Sequence, residues 1–192
     1  MLEILNYDFM RRAFTVGFMV ALICPTVGIF IVLRRLSMIG DTLSHVALAG
    51  VAVGMVGGVY PIYSALIFSI LASLGIEVLR KNYRDYAELA IGIILSMGVG
   101  IATIFISLGS GNISILSYLF GSIALATDRD IILTLVLGAI IIISIIFLYR
   151  ALFYIAFDEE MARVSGVAVK EINLYFMVLV SVAIAIAMQI VG

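Results

Sequence analysis

The chain has 192 residues, of which 65% are hydrophobic and 12% are charged. A water-soluble domain carries about 25% charged residues and about half apolar ones. The composition therefore excludes an ordinary soluble domain and indicates an integral membrane protein. The formal net charge of −1 provides no general attraction to nucleic acid, so no nucleic-acid partner is expected.

Six runs that are almost free of charge have the length of a membrane-spanning helix, which needs about 20 residues to cross ~30 Å of hydrocarbon. In chain order, the predicted spans are residues 13–33, 37–56, 62–79, 87–108, 131–149 and 172–191. Residues 1–10 predict a short interfacial helix before the first span, and Pro25 is expected to kink that span. The sequence thus predicts an all-α, polytopic membrane protein that forms one domain over residues 1–192.

One apolar segment is too short to be counted as a full span. Residues 113–127 follow the glycine-rich break at 109–112 and are only 15 long, a length that favours a short re-entrant or interfacial helix. Asp128, Arg129 and Asp130 then predict a return of the chain to the membrane surface.

The distribution of basic residues predicts the orientation, because cytoplasmic loops are enriched in lysine and arginine. Placing the connection after the first span in the cytoplasm leaves three basic residues outside, namely Arg11, Arg12 and Arg129. The same placement puts eight inside, namely Arg34, Arg35, Arg80, Lys81, Arg84, Arg150, Arg163 and Lys170. Both ends of the chain are then expected on the outer side.

Asp41 and the only histidine, His45, lie four residues apart in the second span. On a helix they share one face, roughly 6 Å apart along the axis. Ionisable residues inside a membrane are costly and usually functional, and carboxylate and imidazole together suit Zn²⁺, Mn²⁺ or Fe²⁺. The pair therefore predicts a cation path. The alternative is structural, with Asp41 bonded at a helix end and His45 packed against a neighbouring helix.

Two further carboxylates, Glu77 and Glu88, are placed in the same cytoplasmic half and are additional candidate metal ligands. Each also has an ordinary interpretation. Glu77 precedes Arg80 by about one turn and can pair with it. Glu88 lies in the first turn of its helix, where a negative charge is favoured by the helix dipole.

The longest polar stretch lies between the fifth and sixth spans and contains the segment Glu159–Val164, which is closed by Gly166. Its charges keep it out of lipid, so we expect a short helix on the cytoplasmic membrane surface. Met161 and Val164 would form a small apolar ridge suited to a soluble partner, with Glu159, Glu160 and Arg163 around it. The alternative is a plain solvated connector.

Four segments resemble the ABC-3 family of membrane permeases, the zinc, manganese and iron(II) uptake subunits of bacterial ABC importers. Residues 34–50 match its hallmark Arg-Arg-Leu-Ser-x-x-Gly-Asp-x-Leu-Ser-His-x-x-Leu-x-Gly. Residues 88–93 resemble its acidic-x-Ala-Ile-Gly-Ile segment, and residues 117–121 resemble Ser-Tyr-Leu-Phe-Gly. Residues 157–167 resemble its Phe-Asp-x-Glu-x-Ala-Arg-x-x-Gly loop.

The resemblance implies a homodimer of permeases in a bacterial or archaeal plasma membrane. It also implies a cytoplasmic ABC ATPase subunit and an extracytoplasmic metal-binding protein that delivers the ion. Zinc, manganese or iron(II) would be the cargo, with no resident cofactor and no chemistry on this chain. Asp41 and His45 would lie on the translocation path. The coupling helix that docks on the ATPase would comprise Asp158, Glu159, Glu160, Met161, Ala162, Arg163, Val164 and Gly166.

The resemblance also implies that relatives continue for about two further spans beyond position 191. Three other interpretations stay open from the sequence. A permease for a larger metal chelate would need no metal ligands, and a secondary proton- or cation-coupled transporter would need no coupling segment. A non-transporting scaffold or receptor would tolerate replacement of both Asp41 and His45.

Overall fold

The computed structural model describes residues 8–83, 87–109 and 128–191, and in these ranges all regular structure is α-helical. These described ranges contain seven helices in chain order. They are α1 (Asp8–Leu33), α2 (Ile39–Val56), α3 (Pro61–Asn82), α4 (Ala87–Leu108), α5 (Asp128–Phe157), α6 (Glu159–Val164) and α7 (Val169–Val191). Six of the seven, all except α6, are long and apolar enough to cross a membrane.

The six predicted spans and the all-α class are confirmed, and the fourth span has the predicted ends. The fifth span was predicted too short, because α5 continues eight residues past Tyr149 to Phe157. Arg150 interrupts the hydropathy pattern without breaking the helix, since arginine is a good helix former. Helix α1 is continuous through Pro25. The predicted helices at 1–10 and 113–127 lie wholly or mostly outside the described residues.

Helix α2 has the most buried candidate span in the described part of the chain, packing against α3, α4 and α7. Small residues allow the close approach. A Cβ added at Gly50 would lie 2.7 Å from backbone atoms of Ser64 and Ala65, and one at Gly98 would lie 2.8 Å from a methyl group of Val46. Because lipid is as apolar as a leucine side chain, such close packing is a main source of helix association in membranes. It fixes the orientation of α2.

A second packing centre joins α1, α5 and α7. Phe30 and Phe176 meet edge-to-face with ring centroids 6.2 Å apart, and both side chains are fully buried with Ile145 and Leu152. Helix α7 contacts both α1 and α5 on one side and α2 and α3 on the other. It therefore holds the two groups of helices together and sets the position of α2 relative to α1.

Candidate functional site

Asp41 and His45 lie in the first two turns of α2, on the shared face that their spacing predicts. His45 Nε2 is 3.6 Å from Asp41 Oδ1. The side chain of Asp41 is 64% exposed and that of His45 is 44% exposed. Neighbouring α2 residues such as Thr42 and Leu43 are fully buried, so the pair lies on the face of α2 that the other helices leave open.

The His45 face of α2 borders a cavity of about 500 Å³ between α1, α2 and α7. Its walls are apolar except near α2, where Ser44 and His45 contribute polar atoms, and they include the sulfur-containing side chains of Cys24 and Met188. The Ser44 hydroxyl donates to the Asp41 carbonyl at 2.7 Å, so that hydroxyl already has a partner. The imidazole of His45 therefore lines this cavity together with the sulfur atoms.

The two additional carboxylates lie apart from this pair. Glu77 is buried and accepts two hydrogen bonds from Arg80, at 3.1 Å and 3.2 Å, as the ion-pair interpretation expected. Glu88 lies at the start of α4 and lines a different cavity together with Glu77, at the end of the bundle predicted to face the cytoplasm. Among the residues described, no three His, Cys, Asp or Glu side chains lie close enough to hold a metal. A metal role for Glu77 and Glu88 stays a prediction.

The candidate coupling segment forms helix α6 with the predicted bounds, Glu159–Val164. Asp158 caps α6 by accepting a 2.9 Å hydrogen bond from the Met161 backbone, and Gly166 ends the segment at φ +83°, a conformation that favours glycine. Ala162 is buried against α5 and α7, whereas Met161 and Val164 are 60% and 84% exposed. One side of α6 is therefore fixed to the bundle, and its apolar ridge faces away from it.

The polar rim of that ridge is present as well. Arg163 donates to Glu159 at 3.3 Å on the surface of α6, and Glu160 is exposed beside them. Every candidate coupling residue thus lies on one small helix or at its two ends.

One buried polar group was not predicted from the sequence. Asp128, Arg129 and Asp130 were expected to mark a return to the membrane surface, and Asp130, at the start of α5, is only 8% exposed. It accepts hydrogen bonds from the Tyr60 hydroxyl at 2.8 Å and from the Gln189 amide at 3.2 Å. These bonds connect the starts of α3 and α5 to the end of α7. The feature of the sequence that could have indicated this group is Gln189, a polar residue in an otherwise apolar run.

Comparison with known proteins agrees with this architecture. A family model described as the ABC 3 transport family matches residues 6–192. A "Probable metal transport system membrane protein" of Treponema pallidum is 41% identical over 98% of this chain and 71% of its own length. The "Manganese import system permease protein ScaB" of Streptococcus parasanguinis is 32% identical over 97% of this chain and 67% of its own length.

A solved structure has the same helix arrangement. The complex named "PsaBC from Streptococcus pneumoniae in complex with Fab" contains a chain with a TM-score of 0.85 and 31% identity over all of this chain and 69% of that one. This chain therefore spans about two thirds of the length of the relatives it matches. The family model, the sequence relatives and the solved fold agree, and the chain belongs to the ABC 3 transport family of membrane proteins.

Proposed function

We propose that this chain is the membrane-spanning permease subunit of an ABC importer that carries a divalent transition-metal ion into the cytoplasm. The observation that carries the proposal is the Asp41–His45 pair on the open face of α2. Two donors that each bind one ion at about 2.1 Å, at a tetrahedral angle, are roughly 3.4 Å apart. The 3.6 Å separation of Asp41 Oδ1 and His45 Nε2 is close to that value.

Two protein ligands suit a site that must also release its ion. Structural zinc sites use four protein ligands and are closed, whereas an open site keeps water in the remaining positions. Manganese is the cargo we favour, because the Streptococcus parasanguinis relative is named for manganese import and carboxylate oxygen suits Mn²⁺. Zinc and iron(II) are compatible with the same two donors.

The exposure of the pair also supports a homodimer. A charged aspartate at the lipid-facing centre of a spanning helix costs about 2.5–3.5 kcal/mol even on the mildest scale, and aspartates in membrane spans face protein or water. Asp41 is 64% exposed on this chain. A second copy packed across the open face of α2 would shield the pair from lipid. It would also provide a second set of the same ligands.

The energy source is proposed to be a cytoplasmic ABC ATPase that docks on α6. The apolar ridge of Met161 and Val164 on a fixed, capped helix supports this role. Closure of the ATPase would push on α6 and shift the bundle between outward-open and inward-open states. An extracytoplasmic metal-binding protein would deliver the ion to the outer side of a bacterial plasma membrane. ATP hydrolysis would belong to the partner, and this chain would perform no chemistry on its cargo.

Metal uptake by the assembled importer tests the site. Asp41→Ala and His45→Ala should each lower manganese uptake by about tenfold or more. Mutating a residue that only hydrogen-bonds to a metal ligand already lowers metal affinity or activity by about 10–100-fold. Copurification of the ATPase should be unchanged, because α6 is untouched. Ser37→Ala, an exposed position just before α2, is the matched control and should transport normally. Uptake at the wild-type rate in the Asp41→Ala/His45→Ala double variant would refute the metal path.

A further inference from the structure

A second, larger cavity of about 950 Å³ lies at the end of the bundle that the positive-inside rule places in the cytoplasm. The end of α1, the end of α3, the start of α4, helix α6 and the start of α7 surround it. Its walls carry six basic side chains, namely Arg34, Arg35, Arg80, Lys81, Arg163 and Lys170. They also carry four carboxylates, namely Glu77, Glu88, Glu159 and Glu171.

The cavity has an excess of positive charge that its own carboxylates do not balance. Two carboxylates are already engaged, because Glu77 pairs with Arg80 at 3.1 Å and Glu159 pairs with Arg163 at 3.3 Å. Among the described residues that line the cavity, four cations and two carboxylates remain, which leaves a net charge of +2. A cavity with this charge repels a divalent cation and attracts an anion.

The contacts of the Arg34 guanidinium indicate where an anion would bind in this cavity. One terminal nitrogen donates to the Asn173 side chain, and the guanidinium lies 5.3 Å from the centre of the Phe176 ring. The other terminal nitrogen, Nη1, is buried and has no hydrogen-bond partner among the described residues. A buried donor without an acceptor is costly, and the described residues supply no acceptor to this nitrogen.

The surroundings of Arg34 show that positive charge is crowded here. Burial first, and then the positive charge of Arg80, lower the pKa of Arg34 to about 10, although Glu77 and Glu159 act in the opposite direction. Arg34 remains a cation at pH 7. An anion bound between Arg34 and Arg80 would relieve their repulsion and give the buried nitrogen its acceptor.

The geometry points to a phosphate-binding site in this cavity, and we propose that its occupant is the phosphodiester headgroup of an anionic phospholipid from the inner leaflet. The cavity lies at the helix ends, which the predicted orientation places at the cytoplasmic headgroup region, and basic pockets between transmembrane helices at this depth suit anionic headgroups. Arginine matches phosphate geometry through its planar fork of donors. Free phosphate offers the same chemistry from solution.

The location implies a consequence for transport, one that goes beyond the proposed import of a metal. Glu159 and Arg163 of α6 form one wall of the cavity, whereas Arg34 and Arg80 belong to the ends of α1 and α3. A bound headgroup would bridge α6 to the rest of the bundle. It would stabilise the position from which α6 meets the ATPase. Lipid binding at this site does not require that the chain carry a metal.

Lipid binding to the purified full chain in detergent tests the proposal. The probes are phosphatidylglycerol, phosphatidylcholine and inorganic phosphate, each titrated at constant salt, with the thermal midpoint and native mass spectrometry as readouts. The variant Arg35→Gln/Lys81→Gln/Lys170→Gln removes three cavity cations that have no ion-pair partner among the described residues. The matched control, Arg11→Gln/Arg129→Gln/Arg150→Gln, removes three exposed charges outside the cavity.

Wild type and control should retain phosphatidylglycerol in preference to phosphatidylcholine. The cavity variant should bind phosphatidylglycerol on the order of 100-fold more weakly, at about fivefold for each lost charge near the surface. If inorganic phosphate alone stabilises wild type and control but not the cavity variant, the site is confirmed with free phosphate as its source. Equal preference for phosphatidylglycerol in the cavity variant and the control would overturn the proposal.

Discussion

Asp130 is buried near the outer end of the bundle, far along the helices from Asp41 and His45. The hydroxyl of Tyr60 and the amide of Gln189 both donate to its Oδ1 atom. Interhelical hydrogen bonds in membranes contribute modestly, about 0.6 kcal/mol on average and up to about 1.7 kcal/mol. Their value here is geometric, because one carboxylate connects three helices at the same end of the bundle.

Removing that carboxylate should destabilise the bundle without affecting the Asp41–His45 face. Asp130→Ala should cost about 1–3 kcal/mol, because it leaves two donors without their acceptor. Tyr60→Phe removes one donor and should cost less. Thermal unfolding in detergent measures both. Arg129→Ala, an exposed neighbour on the same helix, is the control. An Asp130→Ala variant as stable as this control would show that these hydrogen bonds do not stabilise the bundle.

Helix α2 owes its position to small residues rather than to polar contacts. At Gly50 the backbone of α3 comes so near that an added methyl group would lie 2.7 Å from the Ala65 Cα atom. Backbone atoms cannot move aside as a flexible side chain can. The helices must therefore separate to admit a larger residue.

The substitution Gly50→Ala should consequently cost about 1–3 kcal/mol, as overpacking does elsewhere. Gly92→Ala in α4 is the matched control, because nothing lies within 4 Å of the Cβ that it adds. That variant should be neutral or more stable by up to ~1 kcal/mol, since alanine favours the helix. Thermal midpoints of the two purified variants make the comparison. Equal midpoints would contradict the close packing of α2 on α3.

Helix α6 is too short to be stable alone, and its order comes from its cap and from Ala162. Its exposed ridge is the surface proposed to meet the ATPase. Met161→Asp should place an unpaired charge in that contact and cost about 2–5 kcal/mol of docking energy. The permease should still insert, because no span is changed.

The measurement is metal-stimulated ATPase activity and uptake in the assembled transporter, with Met161→Leu as the volume-matched control. Both activities should fall in Met161→Asp, and metal binding at Asp41 and His45 should persist. If Met161→Asp keeps the ATPase bound and transport coupled, α6 is only a connector. The coupling surface would then lie elsewhere, with residues 80–85 as the next candidate.

At the scale of the whole molecule, the six described spans alternate direction, and the basic residues predict which side each connection faces. In the predicted orientation, eight of the eleven basic residues are on the cytoplasmic side. Both the cavity of six basic side chains and α6 lie on that side. Helix α6 can therefore meet a cytoplasmic ATPase only in the predicted orientation.

Cysteine labelling in sealed cells checks the orientation. With Cys24 replaced by alanine, Ser165→Cys should react with an impermeant reagent only from the inside. Val59→Cys, in the exposed turn between α2 and α3, is the matched outer position and should react only from the outside. The reverse pattern would invert the topology and remove α6 from the reach of a cytoplasmic ATPase.

Hydropathy, residue spacing and helix-capping residues by themselves determine three features of this protein. Charge-free runs of about 20 residues fix the six spans, because an unpaired backbone cannot cross lipid. The four-residue interval fixes the shared face of Asp41 and His45, and Asp158 with Gly166 fixes the ends of α6. These features depend only on residues near one another in the chain.

Tertiary structure alone decided which of these groups are buried, paired or left open. The sequence could not show that Asp130 is buried, since Tyr60 is 70 residues before it and Gln189 is 59 residues after it. Nor could it show that Arg34 meets Asn173, which is 139 residues away, or that the Asp41–His45 face is left open. Each depends on how α7 packs between the two groups of helices, and helix packing is set by shape contacts between distant segments rather than by local pattern.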